Sequence, residues 1–239
     1  MARYVTETFP VGSFQCNCTL VIDSESRRAI VVDPGDELDL ILERVDAQGL
    51  EVRALWHTHA HIDHIGATYA LYHELSARAE KEGATPPKVY LHAGDKWLYD
   101  NVAVQASMLG MRPFKVTETF ESINDGQKYE FFDGIRAIHT PGHTPGSCCL
   151  SISALAEIEV PRAFAQGLDG EAARVLLSGD TLFRRSIGRT DLWGGDGELI
   201  LKSIRKRLLT LPPDTIVIPG HGPLTSVEEE LAKNPYTRA

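Results

Sequence analysis

The stretch LWHTHAHIDHIG, residues 55–66, carries four of the chain's nine histidines together with a single aspartate. The run VRALW that leads into it has the apolar character of a strand. From His64 to about Gly83 the pattern changes, with Ile65, Tyr69, Tyr72 and Leu75 recurring on or near one helical face. The histidines therefore sit where a strand hands over to a helix. In extended backbone His59 and His61, two residues apart, point to one side. Asp63 and His64 follow as the chain turns, so the turn presents three imidazoles and one carboxylate.

The same placement recurs further along. HTPGHTPG puts His143 in a Gly/Pro-rich loop after the strand-like IRAIHT, VLLSGD ends in Asp180, and TIVIPGH ends in His221. Each candidate stands at or just past a strand end, usually beside glycine, where loops on a rigid scaffold carry function. Imidazole and carboxylate donors suit zinc, iron or manganese, whereas a soft thiolate site would use cysteine. His59, His61, Asp63, His64, His143, Asp180 and His221 make seven candidate ligands, more than one tetrahedral zinc requires. They suffice for two ions if one carboxylate bridges, and such a pair activates water and polarises a carbonyl or phosphoryl oxygen. A structural zinc site is the competing use of such a cluster, but those sites favour closed, Cys-rich spheres. His57, His73, His92 and His139 lack the pattern and read as structural.

The rest of the chain alternates short apolar runs with helical patterns. YVTETFPV, CNCTLVID and RAIVV read as strands, DELDLILERVDAQG as a helix closed by Gly49, and KVYLH as a strand. GDKWLYDNVAVQASMLG and GELILKSIRKRLLTL read as helices. KYEFF, IRAIHT, CCLSI, VLLSGD and TIVIPGH read as the later strands. Strands grouped like hairpins as well as singly between helices argue for two mixed sheets packed together with helices outside. The segment 153–174 stands out as an insertion.

Composition narrows the function classes. With 239 residues, 43% hydrophobic and 24% charged, the chain reads as an ordinary globular protein with a sizeable core. A net charge of −9 argues against a broad nucleic-acid surface. No apolar run approaches the roughly 18 residues of a membrane span, and MARYVTETFP lacks the regions of a secretory signal. Cys16/Cys18 and Cys148/Cys149 are spaced unlike zinc knuckles or comfortable disulfides, which fits reduced core thiols and a cytoplasmic location. Neither a nucleic-acid nor a membrane partner is expected.

THAHIDHIG resembles the H-x-H-x-D-H signature of the metallo-β-lactamase superfamily, and HTPGHTPGS, SGDTLF and PGHG follow in that superfamily's order. The resemblance runs from VVDPG at Asp33 to the final NPY. GDTLFRRSIGRTDL and IPGHGPLTSVEEELAKNP are most similar to the glyoxalase II-like (hydroxyacylglutathione hydrolase-like) single-domain hydrolases. The resemblance implies an α/β (α+β) fold, a four-layer αββα sandwich of two mixed sheets, as one domain over residues 1–239 without the C-terminal helical domain of glyoxalase II. It implies two divalent ions, zinc foremost and iron or manganese accommodated. His59, His61 and His143 would hold one ion, Asp63, His64 and His221 the second, and Asp180 would bridge. A metal-bound hydroxide would attack a thioester of the S-acylglutathione kind or a small ester, with Asp63 orienting the hydroxide or taking its proton. Asp33 would support the ligands from behind, or stabilise its own turn.

Two departures bear on the substrate. Where glyoxalase II grips glutathione with a Lys and a Tyr after GDTLF, this chain has Arg189 and Asp191. Arg189 would fork onto a substrate carboxylate, or brace its loop against Asp191. Arg185, with Arg184, would add positive potential for an anionic substrate, or be simply solvated. The alternative in another reaction class is the persulfide dioxygenase family, which shares the fold and a GRTD segment but uses one iron at positions matching His59, His143 and Asp180. PGHGPLT departs from that family's final loop. A nuclease would need a more basic balance, true β-lactamases are typically exported, and a non-catalytic binding module usually loses some of these ligands. The expectation is a metal-dependent hydrolase of a small-molecule thioester or ester, monomeric or a small homo-oligomer.

Overall fold

The computed structural model describes residues 3–112 and 114–237. The chain opens with three consecutive antiparallel strands, β1 (Tyr4–Val11), β2 (Cys16–Asp23) and β3 (Arg28–Val32). Helix α1 (Leu38–Ala47) carries it to β4 (Glu51–Trp56), which lies parallel to β3. Helices α2 (Ile62–Ile65) and α3 (Thr68–Glu82) lead to β5 (Lys88–Leu91); α4 (Lys96–Asp100) and α5 (Val102–Met108) lead to β6 (Glu121–Ser122). The second half contains β7 (Lys128–Tyr129), β8 (Phe132–His139), β9 (Cys148–Ile152), β10 (Ala156–Glu159), α6 (Arg162–Ala165), β11 (Gly170–Ala172) and β12 (Val175–Gly179). It closes with β13 (Leu182–Phe183), β14 (Ser186–Ile187), α7 (Gly197–Ser203), β15 (Ile216–Pro219), β16 (Thr225–Ser226) and α8 (Val227–Lys233).

Most of these strands build two mixed sheets, ordered β11-β10-β1-β2-β3-β4-β5-β6 and β16-β15-β12-β9-β8-β7, while β13 and β14 pair with each other. Period-two alternation explains how they stack. In β3, Ile30 and Val32 join Trp56, Ile135, Leu150, Leu177 and Ile218 in the core between the sheets. Ala29 and Val31 face the other way, into a layer with Ile41 and Val45 of α1 and Leu71 and Leu75 of α3. On the far side Ile138, Leu176 and Val217 pack against Ile200 of α7 and Val227 of α8. The layers are therefore helix, sheet, sheet, helix, and each buried aliphatic side chain contributes about 1.5–3 kcal/mol. Among the described residues no helix is long and apolar enough to cross a membrane.

Local chemistry departs from simple periodicity in three places. The helical pattern of residues 64–83 divides at Gly66, because the Asp33-Pro34-Gly35 loop supplies a competing acceptor: Ala67 N donates to Pro34 O at 2.9 Å. The pattern of residues 94–110 divides at Asn101, whose side-chain amide folds back onto Trp97 O at 2.8 Å. KYEFF is not one strand: Tyr129 pairs with Phe132 across a two-residue turn, and β8 runs on from there. Within segment 153–174, β10 pairs in parallel with β1 and antiparallel with β11, extending the first sheet by two strands.

Candidate metal centre

The strands that end at one edge of the sandwich deliver the site. β4 ends at Trp56 and releases the His57–His64 turn, while β3 ends beside it at Val32 and is followed by Asp33. From the second sheet, β8 leads to the His143 loop, β12 to Asp180 and β15 to His221. The two sheets are tied at this edge, since Cys148 N donates to Thr58 O at 2.7 Å and Cys16 bridges His221.

Three imidazole nitrogens converge. His59 Nε2 and His61 Nδ1 lie 3.0 Å apart, and His143 Nε2 lies 3.2 Å from the first and 2.9 Å from the second. All three rings are buried. Beside them His64 Nε2 and His221 Nε2 stand 3.2 Å apart, with Asp63 Oδ2 at 3.8 and 3.3 Å from them. Asp180 joins the two groups. Its Oδ2 faces His143 Nε2 at 3.7 Å, while its Oδ1 faces His64 Nε2 at 3.5 Å and His221 Nε2 at 3.7 Å. Room for that carboxylate depends on Gly220, where a β-carbon would lie 2.2 Å from Asp180 Oδ1. The seven residues singled out by the sequence are thus brought together.

The surrounding hydrogen bonds determine which nitrogen is bare in four of these rings, His59, His64, His143 and His221. Thr58 has one hydroxyl proton and donates it to Asp33 Oδ2 at 2.7 Å. The Thr58 oxygen therefore accepts from His59 Nδ1 at 3.0 Å, leaving His59 Nε2 as a lone pair. His64 Nδ1 donates to the same Asp33 oxygen at 3.0 Å, His143 Nδ1 to Arg189 O at 2.8 Å, and His221 Nδ1 to Phe14 O at 3.0 Å. Each leaves Nε2 bare and aimed inward. Outer hydrogen bonds of this kind fix the tautomer of a metal-ligating imidazole. Asp33 thus acts on both groups, through Thr58 on one and directly on the other.

Convergent lone pairs and carboxylates without partners are what a cation satisfies. Among the described residues Asp180 Oδ1 is buried with no hydrogen bond. Burial, reinforced by the neighbouring rings, holds His59 well below the usual histidine range and brings His61 down to about 3. Both rings therefore stay neutral and able to ligate at neutral pH. Burial opposes charge on His64 too, but the carboxylates of Asp63, Asp180 and Asp33 outweigh it and push the ring well up. Positive charge is thus stabilised where the second group of donors meets. The donor set fits divalent metal binding: His59, His61 and His143 converge within 4.8 Å of one another, as do His59, His64 and Asp180, and Asp63 lies beside His64 and His221. Cys16 Sγ lies 3.5 Å from His64 Nδ1, on the side of the ring away from Nε2. Burial pushes its thiol up to about 12, so it serves as a neutral neighbour.

The remaining sequence candidates fall in different places. Arg189 forks onto Asp191, with Nε to Oδ1 at 2.7 Å and Nη2 to Oδ2 at 2.8 Å. Arg185 reaches Glu229 of α8 at 3.0 Å, and Arg184 contacts the same carboxylate at 3.5 Å. His57 is held by Tyr90 O at 2.9 Å and Thr68 Oγ1 at 2.8 Å, while His92 and His139 stack on each other. His73 packs on Tyr69.

Three fasteners escaped the sequence reading. Buried Asp95 accepts from Ala60 N at 3.0 Å, Thr144 Oγ1 at 2.8 Å and Gly146 N at 2.6 Å, clasping the loops of His61 and His143. Gln105 accepts from Ile62 N at 3.1 Å and donates to Ala60 O at 3.0 Å. Asn17 donates to Pro219 O at 2.9 Å and Gly222 O at 3.0 Å, holding the His221 loop. All three act on backbone across long sequence separations, and nothing in the neighbouring residues marks them.

A cleft of about 170 Å³ opens over the donors, lined by His61, Asp63, His143, Asp180 and Arg189 together with apolar side chains. A larger cleft, about 480 Å³, lies elsewhere, between Arg53, Tyr90, Glu121 and Phe131, and touches none of these ligands.

Residues 11–154 and 166–221 match the family model of the metallo-beta-lactamase superfamily. The chain is 32% identical to the hydroxyacylglutathione hydrolase GloC of Haemophilus influenzae over 96% of each chain. The crystal structure of TTHA1623 in a di-iron-bound form superposes with a TM-score of 0.76 at 34% identity, covering 96% of this chain and 98% of that one. BLEG-1, a B3 metallo-beta-lactamase, superposes with a TM-score of 0.75 at 32% identity, covering 98% of this chain and all of the other.

Proposed function

Because the chain belongs to the metallo-beta-lactamase superfamily, we propose that it is a dinuclear hydrolase of thioesters of the S-acylglutathione kind or of small esters. The observation that carries this reading is the Asp180 carboxylate, which turns one oxygen toward each group of histidines. A single ion would employ one group and leave the other's lone pairs unused. Similarity to GloC supports the thioester as the bond cleaved.

His59, His61 and His143 would hold one ion, Asp63, His64 and His221 the other, and Asp180 would bridge. Zinc leads among the metals, with iron or manganese compatible with the same donors. Bound there, the pair would supply Lewis acidity, activating a water and polarising the scissile carbonyl. The protein's own groups do the positioning. Asp63 lines the cleft. Burial opposes its ionisation, but His64 and His221 outweigh that and hold it well below the usual carboxylate range. So low a carboxylate is a weak base and a good orienter, which suits it to accept a hydrogen bond from the attacking water and aim its lone pair. The apolar cleft walls limit competing water near the scissile carbonyl. Asp33 keeps His59 and His64 in the tautomers their roles require.

The test is metal content of protein purified without added metal or chelator, with thioester hydrolysis, β-lactam hydrolysis and oxygen uptake on a persulfide measured on the same sample. About two metals per chain with thioester cleavage is the expected result for a two-metal hydrolase. Thioesters left intact while a β-lactam opens would move the reading to the chemistry of BLEG-1. Oxygen uptake with about one iron would replace hydrolysis by oxidation.

A further inference from the structure

The walls of the catalytic cleft carry a second message, about which substrates enter. Apart from the donors, Arg189 and Gln105, the lining is Phe14, Ile62, Met108, Leu109, Leu192 and Trp193. Met108 is 63% exposed, Leu109 51% and Phe14 45%, yet all three border one opening. Apolar side chains left in water side by side mark a contact surface. Trp97 packs edge-on against Trp193, with ring centroids 5.9 Å apart, and steadies that wall.

Neither polar wall residue is offered to a ligand. The Gln105 amide is spent on Ile62 N, Ala60 O and Leu98 O. Arg189 is the cation of the lining, and Asp191 already occupies its fork. That pair is exposed and weak by itself. An anionic ligand would nevertheless have to displace a carboxylate tethered two residues away, and would then lie beside it. The net charge of −9 adds to the penalty. The volume decides which part of the substrate fits. A cleft of about 170 Å³ is comparable to the dry cavity of about 150 Å³ that takes a benzene ring, and well below the 300 Å³ or more that encloses a drug-sized molecule. An acyl group fits inside, while a peptide-sized thiol stays at the rim.

Resting on the hydrolase reading above, we propose that the cleft selects an uncharged, apolar acyl group of about four to six carbons, with Met108, Leu109 and Trp193 as the residues that determine it. Two measurements on metal-loaded protein test this independently. The first is kcat/KM for straight-chain acyl thioesters of one small neutral thiol, from acetyl to octanoyl. The second needs no turnover: binding of the matching carboxylates, acetate to octanoate, and of succinate, by calorimetry. Each methylene should improve both quantities about three- to fourfold, equivalent to ~0.8 kcal/mol, until the cleft is full. In Met108→Ser/Leu109→Ser, two exposed positions where the fold is not at stake, that gain should fall below about twofold per methylene. A flat chain-length profile in binding, or succinate bound more tightly than hexanoate, would overturn the inference even if thioesters are cleaved. Chain-length-dependent carboxylate binding with no thioester cleaved would leave the acyl pocket standing and remove the hydrolase reading beneath it.

Discussion

Replacing Asp33 by Asn is the sharpest test of how the metal centre is organised, because it exchanges one oxygen for an NH₂ group at a shared hydrogen bond. Asp33 Oδ1 accepts from Thr58 N at 2.8 Å, so the amide oxygen must take that position. The NH₂ group then replaces Oδ2, which now accepts from both Thr58 Oγ1 and His64 Nδ1. Facing a donor, His64 Nδ1 must give up its proton to Nε2, and the Thr58 hydroxyl must turn its proton toward His59 Nδ1. Both rings then carry protons on the nitrogens that face the metal positions. Keeping the original tautomers instead forfeits two hydrogen bonds to the charged Asp33 oxygen, one made by His64 and one by the Thr58 hydroxyl behind His59, each about 1.5–3 kcal/mol, or roughly 10- to 150-fold in metal Kd at each position. The backbone should tolerate the change, since Asp33 sits at φ 51°, a conformation Asn accepts readily. Thr58→Val should weaken only the position held by His59, His61 and His143, because His64 keeps its direct bond to Asp33. The assay is metal titration against a chromophoric chelator, with circular dichroism to verify the fold. Two metals bound by Asp33→Asn with Kd values within about threefold of wild type, ~0.65 kcal/mol, would refute the tautomer argument.

Three further predictions follow from the same geometry. Gly220→Ala places a β-carbon 2.2 Å from Asp180 Oδ1 and 2.9 Å from His64 Cε1; displacing this carboxylate should cost about 100-fold in kcat with the fold retained, and activity within a few-fold of wild type would show that Asp180 can move freely. Asp95→Asn leaves a buried NH₂ facing either Gly146 N or the Ala60 N and Thr144 hydroxyl donors; the loss of about 2 kcal/mol should lower Tm by roughly 4–8 °C, and an unchanged melting curve would deny that Asp95 clasps the two loops. Chelator-treated protein should be most stable near pH 6.5. His61 has its folded pKa depressed to about 3, and His59 is depressed as well, so their contribution is full above 6.5 and is lost as pH falls from 6.5 toward 3. His64 and His221 are raised, so theirs is full below 6.5 and is lost as pH climbs through their folded values. Denaturant midpoints that rise steadily from pH 5 to pH 8 would contradict that pairing.

What the sequence reveals and what it hides divide along the range of the interactions. β3 and β4 are legible because buried strands need apolar residues on both faces, and RAIVV and VRALW supply them locally. The candidate ligands are legible because imidazoles beside glycine at successive strand ends are improbable as packing, and the two sheets do bring those ends to one edge. Helix continuity is less legible. The break at Gly66 comes from Pro34 O, an acceptor thirty-three residues upstream of Ala67 that no window around the helix contains. The same reason hid Asp95, Gln105 and Asn17. Each holds backbone belonging to another segment, and a single polar residue looks the same in sequence whether it clasps a loop or faces water. Arg189 shows the limit from the other side. Its spacing from Asp191 allowed both a substrate fork and an internal brace, and the structure makes the brace. That arrangement removes the one wall cation from use, so substrate choice passes to Met108, Leu109 and Trp193. They occupy the end of a short helix and a loop, where neither period nor motif could have marked them. The metal donors determine what chemistry is available, and the apolar rim determines which molecules reach it.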